Sequence, residues 1–286
     1  MADVLDRRRN AYRDDLADAA LEGRVEAPRF ATGQAYHVSV PIAPLHPEPS
    51  PGADLDTEAL GGEAVQVFDV ADGWAWCQLT GDGYVGYMPA EMLAAGPPAP
   101  ATHRVTAREA FAYCEPTARS KPRRSWLFGS TIKVVAADGD FFELSDGGFI
   151  GRRHVETVDV TEPDYVATAL MMLGAPYLWG GKSVRGFDCS GLVQLSLLRA
   201  GISCPRDTDM QARELPGSLP VTDGCLDQLQ RGDLVYWPRH VGIMVDKERL
   251  VHANGTNMAT TIDPVTLVIE RSRQDGPVAS AIKRLQ

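Results

Sequence analysis

Several features are missing from this 286-residue chain, and each absence narrows what the protein can be. No apolar run approaches the ~18 residues a membrane-crossing helix needs, so no membrane span is expected. The first ten residues, Met-Ala-Asp-Val-Leu-Asp-Arg-Arg-Arg-Asn, lack the apolar core of a secretory leader. A cytoplasmic protein is expected on that ground. Basic residues are outnumbered, 28 against 38 acidic ones, for a net charge of −10. That balance argues against nucleic acid, anionic membranes or anionic wall polymers as partners held through bulk charge. The cysteines are Cys77, Cys114, Cys189, Cys204 and Cys225, with no Cys-x-x-Cys pair. Neither a zinc site nor a dithiol redox motif follows, and no cofactor or metal is implied. An odd count suits a reducing compartment. Four of the five read as small buried residues.

What is present is organised around residues 176–194. An aromatic, turn-rich loop, Pro176-Tyr-Leu-Trp-Gly-Gly, runs on into Phe187-Asp-Cys-Ser-Gly-Leu-Val. Leu192, Val193, Leu195, Leu197 and Leu198 then form an apolar run, with Gly201 at the C-cap position. The pattern predicts a helix with Asp188 as N-cap and Cys189 as its first residue. Unpaired N–H groups and the positive end of the helix dipole there favour thiolate over thiol. They also provide an oxyanion site, with the Cys189 N–H as a donor.

A nucleophilic thiol needs a base, and the base needs an orienting partner. Three short runs follow, around Gly232-Asp-Leu-Val, His240-Val-Gly-Ile and Leu250-Val-His-Ala, and read as consecutive antiparallel strands. A hairpin at Asp246–Arg249 would bring His240 and His252 to one face of the sheet. Cys189, on a helix packed against that face, completes a Cys–His–His line. His37, His46, His103 and His154 read as surface or structural residues.

These motifs, in this order and spacing, make residues 160–286 resemble the NlpC-type cysteine peptidases, papain-like enzymes that cut bacterial cell-wall peptides. The resemblance implies Cys189 as nucleophile, His240 as general base and His252 as its orienter. It implies an α+β, papain-like catalytic domain, helices packed on an antiparallel sheet. Tyr177 and Trp179 wall the cleft in this reading. Asp188 and Ser190 flank the nucleophile, although Asp188 is equally well explained as a helix cap.

Upstream, residues 3–22 place Leu5, Tyr12, Leu16 and Ala19 at helical spacing, which predicts an N-terminal helix laid on the body of the protein. A disordered arm is the alternative. An internal repeat follows. Gly62-Glu-Ala-Val-Gln-Val-Phe, Ala71-Asp-Gly-Trp-Ala-Trp and Gly83-Tyr-Val-Gly-Tyr return as Gly129-Ser-Thr-Ile-Lys-Val-Val, Ala137-Asp-Gly-Asp-Phe-Phe and Gly148-Phe-Ile-Gly-Arg. Each copy reads as short strands joined by Asp-Gly turns, hence a small barrel. Both resemble bacterial SH3-like domains. The expected organisation is an N-terminal helical segment (1–33), a first barrel (34–95), a Pro-rich linker (96–102), a second barrel (103–158) and the peptidase domain (159–286). That domain should open on a helix capped at Thr161. The run from Val265 to Arg271 reads as a strand, and Ala279 to Arg284 as a last one.

Pro205-Arg-Asp-Thr-Asp-Met-Gln211 resembles the family branch that cleaves free murein peptides of the form L-Ala-γ-D-Glu-diamino acid. In that branch Asp207, with Thr208 beside it, binds the substrate's terminal ammonium, and Tyr84 of the first barrel closes the pocket. An acidic residue of that barrel, Glu58 or Glu63, is open as a further contributor. The plain alternative is a helix start capped by Asp207 or Thr208. The resemblance therefore implies a γ-D-glutamyl-L-diamino-acid endopeptidase that recycles wall peptides, with a small peptide as its partner. Two other readings remain: an endopeptidase acting on intact peptidoglycan, and a non-enzymatic binding protein built on the barrels. The complete Cys–His–His set speaks against the second.

Overall fold

A computed structural model describes residues 5–221, 225–272 and 279–285. The chain divides into two compact units, residues 1–160 and 161–286.

In the first unit, strands 34–38, 64–71, 74–79, 85–89 and 93–95 form a five-stranded antiparallel sheet, beside a two-stranded ribbon of 42–45 and 57–60. Alternating side chains such as Val65, Val67, Cys77 and Leu79 make its core, which also holds Tyr84. Asp72 and Gly73 both have positive φ in the hairpin between 64–71 and 74–79, the backbone a two-residue type I′ turn demands. The element order then recurs. Strands 131–132 and 134–138, 141–144 and 149–151 are followed by a 3₁₀ turn at 152–154 and a strand at 155–157. The first copy runs 64–71, 74–79, 85–89, a 3₁₀ turn at 90–92 and a strand at 93–95. The second copy has its own core of Val105, Ala110, Ala112, Trp126, Ile132, Leu144 and Ile150.

The N-terminal segment departs from the expected helix. Among the described residues, 5–33 hold turns, a two-residue strand at Ala17–Asp18 paired with Phe30–Ala31, and one 3₁₀ turn at Ala19–Leu21. Residues 1–4 of the expected segment lie outside the described residues. Packing explains the outcome: Ala11 and Leu16 bury against Trp76. Arg13 stacks over the same indole, 4.7 Å from its centroid, and pairs with Asp69. Three short anchors on a sheet need no continuous helical stripe.

Among its described residues the second unit carries four α-helices: α1 (Tyr165–Met171), α2 (Cys189–Arg199), α3 (Thr208–Glu214) and α4 (Val265–Ser272). Its main sheet has six antiparallel strands: β1 (Ser218–Leu219), β2 (Leu234–Trp237), β3 (His240–Met244), β4 (Arg249–Asn254), β5 (Ala259–Pro264) and β6 (Ala281–Lys283). They lie in the order β1-β6-β2-β3-β4-β5. Helix α1 begins later than expected, because Asp164 rather than Thr161 caps it by accepting the Ala167 N–H at 3.1 Å. The run from Val265 is helix α4, not a strand. Val265, Val268 and Ile269 are its buried residues, an i, i+3, i+4 set that packs against Val235, Trp237 and Leu250 of the sheet. Helical spacing outweighed the β-branched composition on which the strand reading rested. No helix among the described residues is long and apolar enough to cross a membrane.

Candidate active site

The local sequence around the nucleophile has a physical reason at each position. Asp188 has extended backbone angles (φ −90°, ψ 176°), and its carboxylate accepts the Gly191 N–H at 2.6 Å, which starts α2 at Cys189. The Gly180 N–H reaches its other oxygen at 3.0 Å, which ties the preceding loop to the helix start. Gly191 must be glycine, because a Cβ there would run into the carbonyl of Gly181. The helix end is thus pressed onto the loop, and Cys189 stands at the seam.

Beneath this seam lies Arg206, which is 1% exposed. Its guanidinium donates to both Asp188 oxygens, at 2.9 and 2.6 Å, to Ser190 Oγ at 2.9 Å and to the Gly181 carbonyl at 3.3 Å. Asp188 and Ser190 therefore hold the framework of the site. Removing one partner of a buried ion pair typically costs about 3–5 kcal/mol. Arg206→Ala is accordingly expected to lower the unfolding midpoint sharply, whereas Arg213→Ala, on an exposed pair, leaves it almost unmoved. Thermal denaturation of the two variants checks this.

On the sheet, Trp237 and His240 are the last pair of the β2–β3 hairpin, and β4 follows β3 through the Asp246–Arg249 turn. His240 Nε2 lies 2.7 Å from His252 Nδ1. His252 Nε2 lies 3.0 Å from Asp263 Oδ2. The Asp263 carboxylate also accepts from Asn257 Nδ2 at 3.0 Å and Thr261 Oγ1 at 3.3 Å. Acceptor-only Asp263 takes the Nε2–H of His252, so His252 Nδ1 is bare and accepts Nε2–H of His240. That chain leaves His240 Nδ1 without a proton, as a base requires. No sequence motif singles out Asp263 as a site residue. Its place opposite Leu250 depends on the β4–β5 register, which no local motif announces.

The sulfur of Cys189 lies 3.9 Å from Thr208 Oγ1 and 3.9 Å from the Arg239 carbonyl. The Val241 N–H also serves it. Cys189 thus sits at the start of β3, beside the residues on either side of His240. Its own N–H has no acceptor among the described residues, nor has that of Ser190. Both belong to the first turn of α2, where N–H groups lack an intrahelical acceptor and are able to receive an oxyanion.

The protonation state corrects one expectation. Burial, and then the Asp188 carboxylate, push the Cys189 thiol up to about 11, against the pull of Thr208, the Val241 N–H and Arg206. Burial, and then His252, push His240 down to about 3. The helix terminus is present, but desolvation outweighs it. Both shifts favour the neutral forms, a thiol at Cys189 and an uncharged imidazole at His240. For the rate, the sign follows directly. A base whose pKa is depressed stays unprotonated below the ordinary histidine value of about 6.5. The His240 limb of the kcat/KM profile should therefore lie well on the acid side of 6.5.

The remaining candidates are placed as follows. Asp207 is the N-cap residue of α3, but its side chain makes no capping bond to that helix. Thr208 follows it, facing the sulfur. Tyr177 is half-buried, and its hydroxyl is pushed up to about 12 by burial and by Cys189 and Asp188, against Arg206 and Arg239. Trp179 is 56% exposed, and Leu178 and Met258 are exposed as well, at 39% and 61%. Tyr84 and Glu58 are buried in the first unit. Glu63 accepts the Leu60 N–H at 3.1 Å in a turn of that unit. Of the other cysteines, Cys77 and Cys204 are buried, but Cys114 is exposed, contrary to the expectation for it. The side chain of Cys225 lies outside the described residues. Among the described residues, no cluster of His, Cys, Asp and Glu has the arrangement of a metal site.

His252 and Asp263 make a graded prediction. Gln at 252 can accept from His240 through its carbonyl and donate to Asp263 through its amide, so His252→Gln should keep part of kcat. Asp263→Ala should lower kcat about 10- to 100-fold with little change in KM, as expected of a group that orients the base. Steady-state kinetics on the two variants decides the point.

Comparison with known proteins agrees with this geometry. Residues 45–93 match the bacterial dipeptidyl-peptidase SH3 domain, and residues 174–273 match the NlpC/P60 family. A γ-D-glutamyl-L-lysine dipeptidyl-peptidase of Bacillus cereus is 28% identical over 245 residues, covering 74% of this chain and 71% of the relative. Dipeptidyl-peptidase 6 of Lysinibacillus sphaericus is 29% identical over 236 residues, covering 74% and 85%. A crystal structure of an NlpC/P60 family protein from Bacillus cereus superposes with a TM-score of 0.70 at 20% identity, covering 87% of this chain and 99% of that one.

Proposed function

The chain carries an NlpC/P60 peptidase domain behind a bacterial dipeptidyl-peptidase SH3 domain, and from that premise we propose that it is a γ-D-glutamyl-L-diamino-acid endopeptidase. Its substrates are free murein peptides that begin with L-Ala, as in the recycling of wall peptides inside the cell. The repeated element order supports a second SH3-like domain at 103–158. The observation that carries the reading is the His240–His252–Asp263 chain together with the Cys189 sulfur at the head of α2, which lies 3.9 Å from the carbonyl of Arg239, the residue before His240. The names of the relatives supply the bond.

The chemistry follows from the geometry. His240 Nδ1 takes the thiol proton as sulfur attacks the γ-carbonyl carbon of D-Glu. The carbonyl oxygen becomes an oxyanion against the Cys189 and Ser190 N–H groups. The tetrahedral adduct collapses, the C–N bond breaks, and His240 returns the proton to the departing amine. A thioester of L-Ala-D-Glu remains on Cys189. Water, deprotonated by His240, adds to that thioester carbonyl. Collapse expels the sulfur, which recovers a proton from His240, and the dipeptide leaves with a γ-carboxylate.

Substrate selection rests on Asp207. Asp207 stands at the N-cap position of α3, and its neighbour Thr208 lies 3.9 Å from the Cys189 sulfur. A carboxylate there suits an ammonium one dipeptide away from the scissile carbonyl. This predicts an alkaline limb: kcat/KM falls as the substrate's α-amine loses its proton near pH ~8. Comparing purified sacculi with free L-Ala-γ-D-Glu-L-Lys tests the reading. Release of L-Ala-D-Glu from the free peptide alone is expected; release of fragments from sacculi at a similar rate would overturn it.

A further inference from the structure

The two-residue turn between β2 and β3, Pro238-Arg239, holds an unusual residue in an unusual conformation. Arg239 has φ +65°. The third position of such a turn is the place for glycine or asparagine, because a longer side chain there crowds the backbone. Among the described residues only Asp72 and Met258 share this state without being glycine. Asp72 also lies in a two-residue hairpin turn, but aspartate accepts this backbone far more readily than arginine does. At Arg239 the strained position is one residue before the catalytic base, and its carbonyl stands 3.9 Å from the nucleophilic sulfur. Backbone strain maintained against a cheaper residue is a feature of functional positions.

The side chain also stands apart from its surroundings. Arg239 is exposed. No acidic group pairs with it among the described residues, whereas the other arginine at this site, Arg206, is fully engaged with Asp188. Its backbone stands at the cleft, with the Arg239 carbonyl against the Cys189 sulfur. His240 must hand a proton to the departing amine, so the leaving residue lies on the His240 side of the sulfur. Arg239 is the chain neighbour of that base.

We propose that Arg239 is a specificity residue for the leaving group: its guanidinium binds a carboxylate on the diamino acid that departs. The proposal rests on the γ-glutamyl reading and adds to it the charge of the product released first. Two carboxylates on such a residue have the right chemistry. One is its own α-carboxylate when the peptide ends there; the other is a side-chain carboxylate, as in diaminopimelate but not lysine. A planar guanidinium takes either in a two-pronged pair.

The test compares kcat/KM for three free peptides on the wild-type full-length chain and on Arg239→Gln. The peptides are L-Ala-γ-D-Glu-L-Lys, its C-terminal amide, and the diaminopimelate analogue. Wild-type enzyme should favour the free acid over the amide, or diaminopimelate over lysine, by about tenfold, the worth of one charge-assisted pair. Arg239→Gln should bring that ratio close to one, and Arg239→Lys should leave it in between. Collapse of the acid-to-amide ratio identifies the α-carboxylate; collapse of the diaminopimelate-to-lysine ratio identifies the side chain. Ratios equal in wild type and Arg239→Gln overturn the proposal. Failure of the wild type to cleave any of the three overturns the γ-glutamyl reading itself, and this proposal with it. Arg239 is exposed, and circular dichroism of Arg239→Gln verifies that the fold is kept.

Discussion

Cys189→Ala is expected to lose at least three orders of magnitude in kcat while its fold and its substrate affinity persist. In the proposed mechanism the covalent step has no substitute once the sulfur at the head of α2 is removed. Thr208 Oγ1 lies 3.9 Å from the sulfur, but as a neutral alcohol it is far less nucleophilic. Asp188 caps α2 through Gly191 rather than Cys189, so the truncation leaves the helix start intact. His240→Ala should be nearly as damaging, since members of such a unit act together. Burst kinetics and the unfolding midpoint of Cys189→Ala separate a chemical loss from a structural one. A midpoint close to wild type together with lost turnover is the expected pattern.

The second large effect concerns the substrate's end. If Asp207 holds the terminal ammonium, acetylating that amine removes the charge and adds bulk at the same place. A carboxylate left without its partner in a closed pocket costs several kcal/mol, or at least ~10³-fold in kcat/KM. Free L-Ala-γ-D-Glu-L-Lys should be cut rapidly and its N-acetyl derivative hardly at all. Asp207→Ala should raise KM on the free peptide and narrow the difference between the two. Equal kcat/KM on both peptides would refute end recognition and leave the Cys189 chemistry standing.

Much of the site was legible because its residues are bound by local rules. A cap, a nucleophile and a glycine in Asp188-Cys-Ser-Gly191 are constrained by one helix end, and the helix forms where they predict. The two histidines fall where alternating strands and a short hairpin must put them. Asp263 was not legible. Its value depends on the β4–β5 pairing, a contact between strands whose partners no short motif specifies. The strand read at Val265 failed for a related reason: composition favoured β, and only packing on Trp237 and Leu250 shows the helical face. The N-terminal helix failed because apolar residues at helical spacing can also be separate anchors, as Ala11 and Leu16 are on Trp76. The thiol's protonation was not legible either, because the sequence shows the helix end but not the depth of burial that raises its pKa.

The central claim is that a thioester on Cys189 carries the dipeptide. The most direct measurement is mass spectrometry of the enzyme quenched in acid during turnover of L-Ala-γ-D-Glu-L-Lys, followed by peptide mapping. An L-Ala-D-Glu acyl group on the peptide containing Cys189, with lysine released first, is the predicted result. Lysine release in a burst with Cys189 unmodified, or an acyl group mapped to any other residue, would contradict it.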